Sequence, residues 1–476
     1  MPLTLQLVGA CPASPDLAAP AMDQAASYST TTTPLLLILG SLTLAVSLFV
    51  LIGRSSHGRG KAGLPPGPPA LLFLAKFVAL RRSIFDLGPL LVDLHARHGP
   101  VISVRLFRTL VFVADRKLAH RALVQGGATF ADRPPPVDPV RMFTSGGRDI
   151  SSSSYGPYWR LLRRNLAGEA LSPARVGLFA PARRWACDGL VSSLLSEQQS
   201  QRQDAVTLRP LLRRAMFELL VYMCFGARLG RETLDEVEEL QHQALLSVTT
   251  FPVFAFFPAV TKRLFGRRWA ACLAVRRRQD EVFVPLIHAK RGDGDPPCYA
   301  DSLLAVRVAD EGGRQLTDAE MAMPYLKAVV LEGLRLHPPG HFVLPHGVQS
   351  GDAEIAAYAV PKGAEVNFLV AEIGRDETVW TAAREFRPER FLEGGEGHGV
   401  DITGSREIKM MPFGAGRRMC PGYTLGMHHA EYFVARMVRE LEWRPAAEGA
   451  KVDMAETLDF TTVMKHPLRA LIVSRS

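Results

Sequence analysis

A chain of 476 residues with 47% hydrophobic content can bury a large core, which excludes a disordered or fibrous protein. Its net charge of +9, from 56 basic against 47 acidic residues spread along the chain, suits an anionic membrane surface or an acidic partner, and no nucleic-acid partner is expected. The six cysteines (Cys11, Cys187, Cys224, Cys272, Cys298, Cys420) show neither a CxxC pair nor the Cys/His spacing of a zinc site, which favours a reducing compartment and one functional thiol at most.

Residues 1–34 read as an unstructured extension, in which Met22 is an alternative start to Met1. Residues 35–52, LLLILGSLTLAVSLFVLI, carry no charge and as a helix reach about 27 Å, close to a hydrocarbon core, so a single-pass transmembrane anchor is predicted over 35–53. No Lys or Arg precedes the run, whereas Arg54, Arg59, Lys61, Arg81 and Arg82 follow it, and the positive-inside rule then leaves the remainder in the cytosol. The missing basic n-region and the length of the run argue against a cleaved signal peptide. Residues 54–69 form a basic linker that ends in the stiff elbow LPPGPP, and a globular domain is predicted over 70–476.

Within that domain, VISVRLF (101–107) and TLVFVAD (109–115) read as a hairpin, followed by a helix over Arg116–Gln125. From about Trp159 to Val306 the spacing is helical, as in Leu211, Met216, Leu219, Val221 and Phe225. FPVFAFFPAV (251–260) next to TKRLFGRRW (261–269) fits either a membrane-interface segment or ordinary core before a solvated turn. The last third predicts a helix over Pro324–His337, short strands through Phe368, an irregular stretch, and a helix from about Tyr423 to Trp443. The fold class is mainly α with a small β portion, α+β.

The stretch FGAGRRMCPG, residues 413–422, raises the chemical question. Only a thiolate is a good metal ligand, and a free thiol has a pKa of about 8.5. Three features favour the anion at Cys420: the N-terminus of the following helix, glycines that free backbone amides to face the sulfur, and the charges of Arg417 and Arg418. A plain loop is the alternative; phosphate binding calls for an adjacent Lys–Ser/Thr pair at the helix start, which is absent.

The stretch resembles the Phe-x-x-Gly-x-Arg-x-Cys-x-Gly signature of the cytochrome P-450 family at Phe413, Gly416, Arg418, Cys420 and Gly422. EGLR supplies Glu332 and Arg335 on one helix face, and FRPERF supplies Arg390; the resemblance makes these three a buried structural network bracing the core behind the cysteine loop. It implies heme b (iron protoporphyrin IX), with Cys420 as the metal ligand and Phe413, Gly416 and Gly422 shaping the cradle. It also implies that Trp159 and Arg163 of WRLLRR, Arg418 and His346 donate to haem propionates, although a satisfied surface histidine is the other reading of His346. The implied activity is a monooxygenase, an oxidoreductase inserting one oxygen atom from O2 into a small apolar substrate, with electrons from NADPH through a reductase. That reductase would dock on Arg160, Arg164 and Arg417, unless these form an ordinary solvated face. Pro136–Asp149, Gly340–Val343 and Thr461–Met464 are implied substrate contacts, and LKAVVLEGLRLHPPGHFVLPH looks like plant microsomal members, in the endoplasmic reticulum membrane and facing the cytosol.

One part of the resemblance fails. The family's distal helix carries an Ala/Gly-Gly-x-Asp/Glu-Thr-Thr segment that relays protons, and neither SVTTF (247–251) nor DFTTV (459–463) has the required glycine and acid. DSLLAVRVADEGGRQLTDAEM (301–321) runs directly into AMPYLKAVV (322–330), so an internal deletion is predicted near 321–323 and the catalytic residues are unknown. The alternative to a working enzyme is a truncated, inactive membrane-anchored member that binds haem weakly or not at all.

Overall fold

The computed structural model describes residues 63–79, 87–106, 108–201, 204–249, 253–255, 257–289, 298, 324–351, 353–447, 449–459 and 461–475. The chain divides into units Met1–Arg59 and Gly60–Ser476, and all described residues belong to the second. The predicted anchor over 35–53 and the predicted join at 321–323 lie outside the described residues. Among the described residues no helix is long and apolar enough to cross a membrane.

Alternating apolar residues build the principal sheet. Strands β1 (Val101–Arg105) and β2 (Thr109–Val113) form the predicted hairpin, in register Val101 opposite Val113. Strands β3 (Val206–Thr207), β4 (His346–Gly347), β5 (Ala353–Ile355), β6 (Tyr358–Val360) and β7 (Glu365–Phe368) follow in the chain. The sheet order is β1-β2-β7-β4, with β2 parallel to β7 and Leu110 opposite Glu365. Successive side chains of a strand point to opposite faces. Val101, Val111, Val113, Val366 and Phe368 accordingly enter one core, while Ile102, Val104, Leu110 and Phe112 enter another with Leu91 and Leu94.

Helix α1 (Arg116–His120) continues as one wider π turn, Arg121–Gln125, over the predicted range. Helices α2 (Pro157–Asn165), α3 (Ala180–Ser200), α4 (Leu208–Phe225), α5 (Arg231–Thr249) and α6 (Gly266–His288) make the helical half. They are followed by α7 (Pro324–Leu336) and α8 (Tyr423–Glu440). Helix α8 ends three residues before the predicted Trp443 because Leu441 opens strand β8 (Leu441–Pro445), which pairs with a C-terminal strand, Arg469–Ser474. That sheet and α8 pack on α3 and α4 through Leu190, Leu194, Leu219, Phe433, Met437 and Ile472.

A buried ionic cluster locks α7 to the irregular stretch before the cysteine. Glu332 receives Arg335 through both carboxylate oxygens, at 2.7 and 2.8 Å, and its Oε1 also accepts Arg390 Nε at 3.1 Å and the Arg387 amide at 2.8 Å. The remaining Arg335 donors meet the carbonyls of Gly374 and Ala383, while Arg390 reaches Thr381 O and Glu396. Both guanidinium groups lie against the fully buried indole of Trp380. Trp380 joins Ala328, Leu331, Phe391 and Met410 in a core that Phe413, the first residue of the cysteine loop, packs against. Removal of one member of a buried ionic cluster leaves uncompensated charge, so Glu332→Ala is expected to cost about 3–5 kcal/mol in urea unfolding. A loss below about 1 kcal/mol would place that carboxylate outside the bracing role.

Candidate functional site

Cys420 sits at the end of a loop shaped by glycine. Gly414 and Gly416 have φ of +73° and +70°, the left-handed region that glycine enters without strain. A Cβ at Gly416 would lie 1.9 Å from the carbonyl oxygen of Leu123, inside the π turn, so the loop presses backbone to backbone there. The Cys420 amide donates to Phe413 O at 2.9 Å and closes the loop, and Gly422 precedes the first turn of α8, where Gly426 N donates to its carbonyl. Phe413 is half-buried against Tyr423 and Gly426. Cys420 itself is partly exposed.

Around the loop, the donor residues picked from the sequence converge. Trp159 and Arg163, four apart on α2, lie on one helix face. Trp159 Nε1 donates to Ile150 O at 3.0 Å, and Arg163 Nη1 donates to Met419 O at 2.7 Å, one residue from the thiol. Arg418 stacks on the Trp159 ring, 4.4 Å from its centroid, and donates to Ala131 O and Ser153 O. His346, on β4, is buried with Nδ1 2.6 Å from Phe130 O.

The structure adds Arg133, which sequence reasoning missed. It is buried, donates to Ser151 O, Leu344 O and Pro345 O, and lies against Gly347, whose Cβ would meet the Arg133 carbonyl carbon at 3.1 Å. No periodicity marks this residue. The one hint is the proline run that follows it, Pro134–Pro136, which holds the backbone extended.

These groups form an electropositive cluster. Burial pulls the Arg133 guanidinium down to about 9, with Arg418 adding repulsion and Asp132 and Asp149 opposing. Burial likewise lowers Arg418 to about 10. Arg163 is lowered by burial, and negative charge on Cys420 opposes this. Among the described residues none of the three forms an ion pair, and Arg133 Nη2 and Arg163 Nε and Nη2 have no protein acceptor. Three guanidinium groups with no directly paired carboxylate, Asp132 and Asp149 acting only from a distance, are gathered beside one thiol and match a flat ligand that carries two carboxylates on its edge and a metal at its centre. The donor set therefore fits a propionate-bearing haem.

Trp159 departs from the expected donor role, because its only N–H already goes to Ile150 O. His346 departs for another reason. Burial, then the charges of Arg133 and Arg418, push its imidazole down to about 3 against the Phe130 hydrogen bond. It is neutral at physiological pH, and its one N–H goes to Phe130, leaving Nε2 an acceptor. Donation to a carboxylate requires a second proton, which a neighbouring anion favours.

The comparisons agree with this chemistry. A family profile described as Cytochrome P450 matches residues 65–323 and 307–473. The chain belongs to the cytochrome P450 family. These are haem monooxygenases. The chain is 39% identical to cytochrome P450 89A9 of Arabidopsis thaliana, over 93% of this chain and 99% of the relative. It is 28% identical to 3-hydroxyindolin-2-one monooxygenase of Zea mays, over 89% and 92%. The first alignment runs to 514 positions, more than the 476 residues of the chain, so at least 38 positions of that relative face no residue here. The fold is that of solved P450 structures: a zebra fish cytochrome P450 with progesterone (TM-score 0.63, 19% identity, 81% of this chain and 99% of that one) and the cyanobacterial CYP120A1 bound to retinoic acid (TM-score 0.63, 18% identity, 87% and 100%).

Two outcomes follow for the site. Because the folded pKa of His346 lies below its unfolded value of 6.5, the unfolded chain binds the extra proton first, and stability is lost as pH falls from 6.5 toward about 3. In melts of the haem-free chain between pH 7.5 and 4.5, wild type should lose more melting temperature than His346→Gln; parallel curves would contradict a neutral buried imidazole. Gly416→Ala should displace the cysteine loop from Leu123, lowering haem incorporation per folded chain while the far-ultraviolet circular dichroism is retained; an unchanged haem content would show the contact to be dispensable.

Proposed function

We propose that the chain is built as a haem-thiolate monooxygenase acting on a small apolar substrate, with Cys420 the iron ligand. The observation that carries this reading is the trio Arg133, Arg163 and Arg418 gathered around the Cys420 loop, none of them in an ion pair among the described residues. Haem, when bound, supplies activation of O2. The chain's own residues do the rest: Arg133, Arg163 and Arg418 would hold the propionates, the Trp159 ring backs the Arg418 guanidinium, and His346 would offer Nε2 to a carboxylate only after taking up a second proton. Phe413, Gly416 and Gly422 keep the sulfur in place.

Electrons would come from NADPH through a reductase. Arg160, Arg164 and Arg417 are exposed beside the cysteine loop, and Arg160 and Arg417 flank the ring of Tyr155 at 5.0 and 5.5 Å, which supports an acidic partner there. Residues 35–53 would anchor the chain in the endoplasmic reticulum membrane with the domain in the cytosol. The exposed Phe257, Val260 and Leu264, next to Lys262 and Arg263, support contact with a lipid surface.

A second reading rests on the junction of 301–321 with 322–330 and on an alignment longer than the chain: a shortened family member without the distal acid–alcohol pair, binding haem weakly and inactive. A helix of about 30 residues spans about 45 Å, enough to cross a domain of this size. A reduced, carbon monoxide difference spectrum separates the two. The thiolate-shifted Soret band is expected in wild type and must vanish in Cys420→Ala; its absence from wild type favours the second reading. Sequencing the transcript across Glu320–Met323 then shows whether a longer chain exists.

A further inference from the structure

A two-stranded ribbon made of strands β9 (Glu456–Asp459) and β10 (Thr461–Met464) pairs with no other sheet among the described residues, and none of its residues belongs to a hydrophobic core cluster. An isolated hairpin is marginal in water, so its position must come from what it docks on. Here the docking is polar. Glu456, at the base of the ribbon opposite Met464, accepts His337 Nδ1 on Oε1 and His341 Nε2 on Oε2 at 3.1 Å. Arg375 Nη2 reaches both oxygens, at 3.1 and 3.3 Å, and the same guanidinium donates to Leu336 O. Burial would raise this carboxyl, but the two histidine hydrogen bonds and the Arg375 charge outweigh it and hold it well below the usual range. Two further bonds hold the ribbon among the described residues, Thr462 N to Pro339 O at 2.8 Å and, from α4, Arg209 Nη1 to Met464 O at 3.3 Å.

The segment grasped in this way, Pro339–Val343, runs beside the cysteine loop: Val343 Cγ1 lies 3.4 Å from a Cβ placed on Gly414. The segment is fixed from its other side by His341 O, which accepts the amide of Val370. Among the described residues the ribbon thus reaches this segment through the Glu456 carboxylate, at His341, and through the Thr462 amide, at Pro339. Thr462 Oγ1 is buried without a partner, so the ribbon brings a spare hydroxyl to this wall.

We infer that Glu456 is a positioning residue, whose carboxylate, gripped by His337, His341 and Arg375, holds the Glu456–Met464 ribbon against Pro339–Val343 and so sets the wall that an apolar ligand meets beside Cys420. The inference deepens the haem-thiolate reading and rests on it for the identity of that ligand. The contact itself does not.

Glu456→Gln keeps the shape and removes the charge. In hydrogen–deuterium exchange of the full chain, the variant should exchange the ribbon amides about tenfold faster, while the Val101–Val113 hairpin is unchanged. Replacing both His337 and His341 by Gln should reproduce the effect. With haem bound, difference spectra should show affinity for 1-phenylimidazole falling about fivefold in Glu456→Gln while affinity for imidazole, too small to reach the wall, holds. Unchanged ribbon exchange, equal loosening of the Val101–Val113 hairpin, or equal weakening of both azoles would overturn the inference. No spectral response to either azole in wild type would instead overturn the haem reading, and the exchange comparison would still decide the clamp.

Discussion

One buried carboxylate holds the C-terminal half of this protein together. Glu332 is surrounded by Arg335, Arg390 and the Arg387 amide, and those guanidinium groups in turn occupy the carbonyls of Gly374, Thr381 and Ala383. An irregular stretch has no ladder of its own to satisfy its backbone, and here two arginines do that work from inside. The stretch ends at Phe413, so the cysteine loop inherits its position from charges it never touches. Buried ion pairs are weak evidence for stability, because desolvation offsets much of the attraction. Their value here is directional: the fork of an arginine meets carbonyls at set angles, which an apolar filler cannot do.

The same device recurs at the site in reverse. Around Glu332 negative and positive groups are matched. Around Cys420 the arginines outnumber their counter-charges, and backbone carbonyls only partly compensate. The difference separates a structural cluster from a binding one: the first is complete within the chain, the second asks for an anion from outside. Position along the chain would not distinguish them, since Arg418 and Arg390 lie within 28 residues of each other.

Local patterns were the legible part of the sequence. The β1–β2 hairpin follows from strict alternation, the Glu332–Arg335 pair from spacing of three on a helix, and the loop conformation around Cys420 from glycines at its turns. Contacts between distant segments were not legible. Arg133 is recognised by carbonyls of Leu344 and Pro345, more than two hundred residues away, and a carbonyl leaves no trace in a sequence. Glu456 sits in an unremarkable polar stretch until His337, His341 and Arg375 are seen around it. The end of α8 moved to Glu440 because an outside strand competes for Leu441 onward, and helix periodicity carries no information about that competitor. His346 was legible as a residue, whereas its neutral state depends first on burial and then on the Arg133 charge, and so was not.

The parallel pairing of β2 with β7 has a consequence for chain length. It joins Leu110 to Glu365, closing a loop of about 250 residues before the principal sheet exists. Closure entropy grows only as the logarithm of that length, so adding or removing about 30 residues within the loop changes it by about 0.1 kcal/mol. The closure cost of the pairing that brings the cysteine loop, β4 and the arginines together is therefore nearly indifferent to how much chain lies between 301 and 330. As far as loop closure goes, chains that differ by about 30 residues in this span could form the same β2–β7 pairing.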